Sequence, residues 1–168
     1  MTLNRRQLTL PLLGGLGILA GLMSFLPAKP AFVWNFSASA PTGLYVVLNR
    51  PARKGDWVAL DPPPHVKALL SEIRQEPQHR LLVKRMVAVG GDVICRYDKH
   101  IYINGTVEAE IVSDRIGHAS MPSWRGCRSL AGSEAFYLGD GPRSFDSRYF
   151  GPIETTRVVG PVLKVGIY

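Results

Sequence analysis

From Leu8 to Leu26 the chain carries no charged residue. At about 1.5 Å per helical residue that stretch reaches roughly 28 Å, close to the thickness of a bilayer core. Arg5 and Arg6 precede it, and the first acid is Asp56. With Arg5 and Arg6 ahead of the segment, the positive-inside rule predicts residues 1–7 in the cytoplasm, an anchor over 8–27, and a domain over 28–168 outside. Other readings of the segment are weaker. A helix apolar on all sides at the very N-terminus suits a buried core poorly. Ala38-Ser39-Ala40 has the small-x-small form of a signal cleavage site, but it lies far beyond the apolar run and Pro41 follows it. Asn4-Arg5-Arg6-Gln7-Leu8 has the look of a twin-arginine export signal, although two arginines before an apolar run are common by chance. Gly17 and Gly21 form a G-x-x-x-G pair that suits helix packing, and glycine abundance explains it equally well.

The remaining residues are enough for one domain of ordinary size. The chain's 17 glycines and 13 prolines suit a loop-rich β structure better than a helical one. A formal charge of +7 fits either nucleic acid or an anionic membrane surface. No helix-turn-helix, zinc-knuckle or aromatic ribonucleoprotein pattern is present, so nucleic acid is not the expected partner. The two cysteines, Cys95 and Cys127, form no C-x-x-C, which argues against zinc and thioredoxin chemistry. In an oxidising compartment a Cys95–Cys127 disulfide would close a long loop and stabilise by roughly 3–4 kcal/mol. Two buried free thiols are the alternative.

The pattern after the anchor predicts mainly antiparallel β structure. Leu44–Leu48, Asp56–Leu60, Leu81–Val89, Asp92–Arg96, His100–Ile103, Ala135–Leu138 and Val158–Val165 read as strands. His65–Glu76 reads as the one soluble helix, with Val66, Leu69, Leu70 and Ile73 at i, i+3, i+4 and i+7 and Pro77 beyond its end. Asn104-Gly105 signals a hairpin, since both central positions of that turn favour positive φ. Residues 112–132 show little periodicity and are expected to form an exposed excursion.

Three local segments stand in a fixed order: Ser37-Ala38-Ser39-Ala40-Pro41-Thr42-Gly43-Leu44-Tyr45, Val83-Lys84-Arg85-Met86-Val87-Ala88-Val89-Gly90-Gly91-Asp92, and Ser144-Phe145-Asp146-Ser147-Arg148-Tyr149-Phe150-Gly151-Pro152. Together, behind an N-terminal apolar segment, they resemble the serine, lysine and Asp-Ser-Arg boxes of the type I signal peptidases, the peptidase S26 superfamily. The spacing of Ser39-Ala40-Pro41 before Gly43-Leu44-Tyr45, and the run Pro122-Ser123-Trp124-Arg125-Gly126-Cys127-Arg128, resemble its conjugative-transfer branch, the TraF type. The resemblance covers roughly residues 35–168. Ser147 departs from that branch, where glycine is expected, and matches the general signal peptidases.

A serine hydroxyl needs a base within hydrogen-bond reach to act as a nucleophile. None of His65, His79, His100 or His118 sits in a motif that would aim it at a serine. A Ser-Lys pair is the alternative. In an extended strand Leu82, Lys84, Met86 and Ala88 share one face, and an amine in an apolar row loses hydration, which disfavours its charged form. A lysine at a strand edge, reaching solvent, is the bland reading. The resemblance maps the nucleophile onto Ser39 and the base onto Lys84. It gives Ser37 a part in holding the oxyanion, and gives Ser144, Asp146 and Arg148 supporting parts around Lys84. Arg85 is expected to brace the same region.

The resemblance implies a membrane-anchored serine endopeptidase that needs no metal or organic cofactor. Its substrate would be an exported or membrane-inserted precursor, with the pilin precursor of a conjugative transfer apparatus as the expected client. Transfer of an acyl-enzyme to an amine, giving a cyclic product, belongs to the same expectation. A general signal peptidase, a self-cleaving repressor and a non-enzymatic pilus-assembly component are the competing readings. The repressor lacks a place for its DNA-binding module, because the apolar segment fills it.

Overall fold

Strand β4, Leu82–Val89, is the spine of the domain. Its run of Leu, Val and Met suits a strand covered on both sides, and Gly90-Gly91 ends it, with Gly91 at φ 93°. The computed structural model describes residues 29–74, 80–113, 115–116 and 119–166. The anchor expected over 8–27 lies outside them, as do His79, His118 and the last two residues, 75–76, of the expected helix. Among the described residues no helix is long and apolar enough to cross a membrane.

In chain order the strands are β1 Phe32–Asn35, β2 Gly43–Val47, β3 Trp57–Leu60, β4, β5 Val93–Tyr97, β6 His100–Ile103, β7 Thr106–Glu110, β8 Arg115–Ile116, β9 Ala119–Ser120, β10 Gly126–Ser129, β11 Glu134–Leu138, β12 Ile153–Glu154 and β13 Val158–Lys164. Helix α1 spans Pro64–Arg74 and the short helix α2 spans Ser147–Phe150. A seven-stranded sheet runs in the order β1-β2-β13-β3-β4-β11-β12, and a four-stranded one in the order β10-β5-β6-β7. Every pairing is antiparallel. The expected mainly β fold with one soluble helix of ordinary length is therefore present. The hairpin at Asn104-Gly105 forms as expected, with φ of 50° and 85°.

Three apolar clusters fill the domain. Val66 and Leu70 of α1 pack with Ala88, Ile94, Ile101, Phe136 and Tyr149. Val33, Tyr45, Ala59, Val83 and Val162 form the second cluster. Val58, Leu60, Met86, Tyr137 and Ile153 form the third. Burying each Val, Leu, Ile, Phe or Met among them contributes about 1.5–3 kcal/mol.

Three expectations need correction. Strand β1 was not foreseen; in it Val33 and Asn35 point inward while Phe32 and Trp34 stay exposed. The stretch 112–132 is not wholly irregular. It holds the β8–β9 pair, and its β10 aligns on β5 with Cys127 opposite Cys95. These two cysteines are joined in a disulfide. The third correction concerns the row on β4. Ala88 pairs with Phe136 but Met86 pairs with Tyr137, so Val87 is an extra residue and the ladder bulges there. Phe136 and Tyr137 point to opposite faces. Ala88 therefore leaves the face that Lys84 and Met86 share, and joins a different cluster from Met86.

Two carboxylates staple turns at the sheet ends. Lys54, the Val89 N–H and the Asn104 amide hold the Asp92 carboxyl down to about 2. The Arg128 guanidinium and the Ala131 N–H hold Glu134 down to about 2. Their ordinary values are 3.8 and 4.5, so the folded values are depressed. Stabilisation from such groups is complete above the ordinary values and disappears as pH falls toward the folded ones. The melting temperature of the domain is expected to drop between about pH 4.5 and pH 2, followed by circular dichroism. The double variant Asp92→Asn, Glu134→Gln should be less stable at pH 7 and show a flatter slope in that window.

Candidate active site

The chain leaves β1 at Asn35 and turns through Ser37 and Ser39 to Pro41 before β2 begins. Asn35, 5% exposed, organises this turn from inside. Its Nδ2 donates to the carbonyls of Ser37 (2.9 Å), Ala40 (2.9 Å) and Pro41 (3.3 Å). Its Oδ1 accepts from the Ser37 N–H at 3.2 Å and from the Ser37 hydroxyl at 3.0 Å. The Tyr45 hydroxyl donates to the Pro41 carbonyl at 2.6 Å. Burial first, and then the charge of Asp140, raise the Tyr45 pKa and keep it a donor. The two serine hydroxyls meet, with Ser37 Oγ 2.7 Å from Ser39 Oγ.

Lys84 comes from the centre of β4 and is 2% exposed. Its Nζ donates to Ser144 Oγ at 2.7 Å. Ser37, Ser39 and Lys84 line one small cavity of about 20 Å³, together with Asn35, Leu82, Val83 and Phe145. That is room for roughly one water molecule.

The loop after β11 closes this arrangement. The Asp140 N–H donates to the Ser39 carbonyl at 2.9 Å. Asp146 accepts from the Gly139 N–H at 2.8 Å and from the Arg148 N–H at 3.1 Å. The Arg148 guanidinium donates to both Asp146 oxygens, at 2.9 and 2.7 Å. It also donates to the carbonyls of Gly139 (2.9 Å) and Gly141 (3.0 Å). Burial opposes the charge of Arg148, and the bonds and charge of Asp146 more than restore it, so its pKa is raised. Phe145 stacks on Tyr149 and meets Phe150 edge-on, which fixes the segment between Ser144 and Arg148.

The structure thus gathers Ser37, Ser39, Lys84, Ser144, Asp146 and Arg148 from the serine turn, the segment after β11 and strand β4. Arg85 stands apart from the cavity: it is exposed, and its guanidinium lies 4.8 Å over the Trp57 ring. With Glu108, Glu110, Asp140 and Arg148 it lines a separate recess of about 400 Å³. Cys95 and Cys127 sit in the four-stranded sheet. Among the described residues no three His, Cys, Asp or Glu side chains gather as a group that could hold a metal.

Sequence reasoning passed over two residues that shape the site. Asn35 lies ahead of the three segments, on the strand that was not foreseen. Its signal was the alternation Phe32-Val33-Trp34-Asn35, which puts an amide on an inward face and requires partners for it. The other is Gly139. A Cβ there would overlap Ser144 Oγ and stand 2.6 Å from the Ser39 carbonyl oxygen. Ser147 also finds its reason. Its Oγ accepts from the Tyr137 N–H at 3.1 Å, a donor that lies at the bulge between β4 and β11. Glycine at 147 would leave that buried N–H without this acceptor.

Comparison with known proteins gives the family. The profile of the family described as "Signal peptidase, peptidase S26" matches residues 6–165, so the chain belongs to that family, whose members are serine-type signal peptidases. Within it the chain is of the TraF type. It is similar to a plasmid transfer protein TraF of Escherichia coli, 26% identical over 166 residues, covering 87% of this chain and 92% of that protein. A second plasmid transfer protein TraF of Escherichia coli is 26% identical over 165 residues, covering 90% of each chain. Signal peptidase I V of Bacillus subtilis is 31% identical over 97 residues, covering 51% of this chain and 58% of its own length. A crystal structure of a signal peptidase I from Enterococcus faecalis gives a TM-score of 0.39 at 22% identity, covering 67% of this chain and 97% of that one.

The tight approach at Gly139 generates a test. Gly139→Ala should push Ser144 or the Ser39 carbonyl out of place, at a cost of about 1–3 kcal/mol in stability. Processing of a precursor should be lost with it. Gly132→Ala is the control, because a Cβ there meets nothing within 4 Å. Its melting temperature and activity are expected to stay near those of the parent protein.

Proposed function

We propose that the protein is a membrane-anchored endopeptidase working through a Ser39–Lys84 pair, with its catalytic domain on the extracytoplasmic side of the inner membrane. Residues 1–7 then lie in the cytoplasm, 8–27 form the anchor and 28–168 the catalytic domain. One observation carries the reading: a buried lysine and a buried serine line the same small cavity.

In this mechanism Lys84 works as the neutral amine. It takes the Ser39 proton as Oγ attacks the scissile carbonyl carbon. The negative oxygen that results is held by the Ser39 N–H and the Ser37 hydroxyl, and losing one such donor typically costs about 10²–10³ in rate. The C–N bond then breaks, the lysine ammonium gives its proton to the leaving amine, and an ester on Ser39 remains. Water, or an amine of the substrate, attacks that ester and frees Ser39. An amine would give a cyclic product. Ser144 fixes the direction of the Lys84 amine, and Asp146 with Arg148 fixes the loop that carries Ser144. Arg85 has no direct part in these steps and braces β3 through Trp57.

Cleavage after small residues, just outside the bilayer, belongs to the same reading. The client is the pilin precursor of a conjugative transfer apparatus, a reading supported by similarity to the two proteins named for plasmid transfer. Mass spectrometry of that precursor, produced with and without this protein, tests the assignment. A generic exported precursor processed equally well would indicate a general signal peptidase instead.

Ser39→Ala is expected to abolish processing while the protein still accumulates in the membrane fraction. Lys84→Arg keeps the charge but cannot lose its proton at working pH, so it should be as inactive as Lys84→Ala. An active Lys84→Arg enzyme would rule out lysine as the base.

Activity should rise with pH as the ammonium loses its proton. Met86 shares the face of Lys84 and is buried, and in this reading Met86→Gln brings polarity to the surroundings of the amine. Easier hydration of the ammonium would move the rising limb of the pH–rate profile to higher pH. An unmoved limb would remove Met86 from this role.

A further inference from the structure

We infer that Asn35 is a positioning residue for the reaction, acting on Ser39 through Ser37. The inference rests on the Ser39–Lys84 reading above. The observation behind it is that both ends of one buried amide are committed to the serine turn. Nδ2 has two hydrogens, and it faces the carbonyls of Ser37 and Ala40 at 2.9 Å, with Pro41 further off at 3.3 Å. Oδ1 faces the Ser37 N–H and the Ser37 hydroxyl. A single side chain therefore fixes both the peptide planes of the turn and the rotamer of Ser37.

The hydroxyl count gives this arrangement a consequence. Ser37 has one hydrogen and two lone pairs. With its hydrogen given to Asn35 Oδ1 at 3.0 Å, a lone pair of Ser37 faces Ser39 Oγ at 2.7 Å. In that resting state Ser39 is the donor of the pair, and Ser37 holds the Ser39 oxygen in place as an acceptor until the Ser39 hydrogen turns to the neutral Lys84 amine at the start of the reaction. When negative charge develops on the substrate oxygen, the Ser37 hydrogen can turn from the amide to that oxygen. The same hydroxyl thus orients the nucleophile first and holds the oxyanion second. A neutral amide is the right partner for it. It accepts the hydrogen well enough to park it, and carries no full charge that would keep it from the oxyanion.

Asn35 never touches the reacting atoms in this scheme, so its effect must pass through Ser37. A double-mutant cycle reads that directly. The full-length protein in detergent micelles would be assayed on an internally quenched peptide with alanines before the scissile bond. Asn35→Ala is expected to lower kcat by about 10- to 100-fold with KM changed less than about threefold, since rate lost through a misplaced hydroxyl is lost in the transition state. In a Ser37→Ala background the same change should cost less than about threefold. Full additivity of the two losses would overturn the inference and leave Asn35 a staple of the turn.

Asn35→Asp is isosteric and keeps an acceptor for Ser37 while losing the Nδ2 donors. It covers the case in which Asn35→Ala fails to fold. Strong coupling of Asn35→Asp with Ser37→Ala supports the inference, and independence of the two sinks it. Ser39→Ala runs alongside. Activity in Ser39→Ala would overturn the mechanism itself. An inactive Ser39→Ala with additive Asn35 and Ser37 losses would overturn only the part given to Asn35.

Discussion

The buried ion pair of Asp146 and Arg148 decides where every other group around Ser39 can stand. Its side chains are 0% and 4% exposed. A buried pair of this kind is weak evidence of net stability, because desolvation offsets most of the attraction. Its effect here is geometric. One carboxylate and one guanidinium take up the Gly139 N–H and the carbonyls of Gly139 and Gly141. The loop they fix sends the Asp140 N–H to the Ser39 carbonyl and carries Ser144 to the Lys84 amine. Removing either charge would strand the other without its partner, a loss of about 3–5 kcal/mol, and would release the loop from both the serine turn and the lysine.

The second constraint is the bulge on β4. A regular strand would set Lys84, Met86 and Ala88 on one face. The extra residue at Val87 lets one strand serve two clusters, with Ala88 beneath α1 and Met86 on the side of Lys84. The bulge has a cost at the backbone, since it disturbs the ladder around Tyr137. Ser147 meets that cost with its hydroxyl. The residue that departs from the TraF pattern is thus tied to the strand that carries Lys84, and the Asp-Ser-Arg segment supports both the loop and the sheet.

Much of this was legible in the sequence. The strand run of β4, the Asn104-Gly105 hairpin and the periodicity of α1 are local signals, and each appears within a residue or two of its expected place. The order of the three segments pointed to the family. What escaped is what depends on long-range register. The bulge at Val87 is fixed by pairing with β11, some fifty residues away in sequence, and periodicity on β4 alone cannot reveal it. Strand β10 carries few apolar residues, and its place is set by pairing with β5 rather than by its own composition. Gly139 did not stand out from its turn, because it is required by lack of space and not by positive φ. Arg85 follows Lys84 in sequence, yet adjacent strand residues face opposite ways, so it stacks on Trp57 instead of joining the cavity.

The serine turn completes the argument, because its peptide planes are held from both sides. The carbonyls of Ser37 and Ala40 point to the Asn35 amide, the carbonyl of Pro41 accepts from Tyr45, and that of Ser39 points to the Asp140 N–H. The carbonyl of Ala38 lies against Gly141, where a Cβ would stand 2.9 Å from it. In a trans peptide the C=O and the following N–H point in opposite directions. The Ser39 N–H is therefore directed away from Gly141 by the packing of its neighbour's carbonyl. In the proposed mechanism that N–H is an oxyanion donor, and donors of this kind act most strongly when they need no rearrangement as charge develops. The demand for glycine at 141 is then a demand on the direction of one N–H two elements away. Bulk at that position would rotate the 38–39 peptide before it touched the serine hydroxyl.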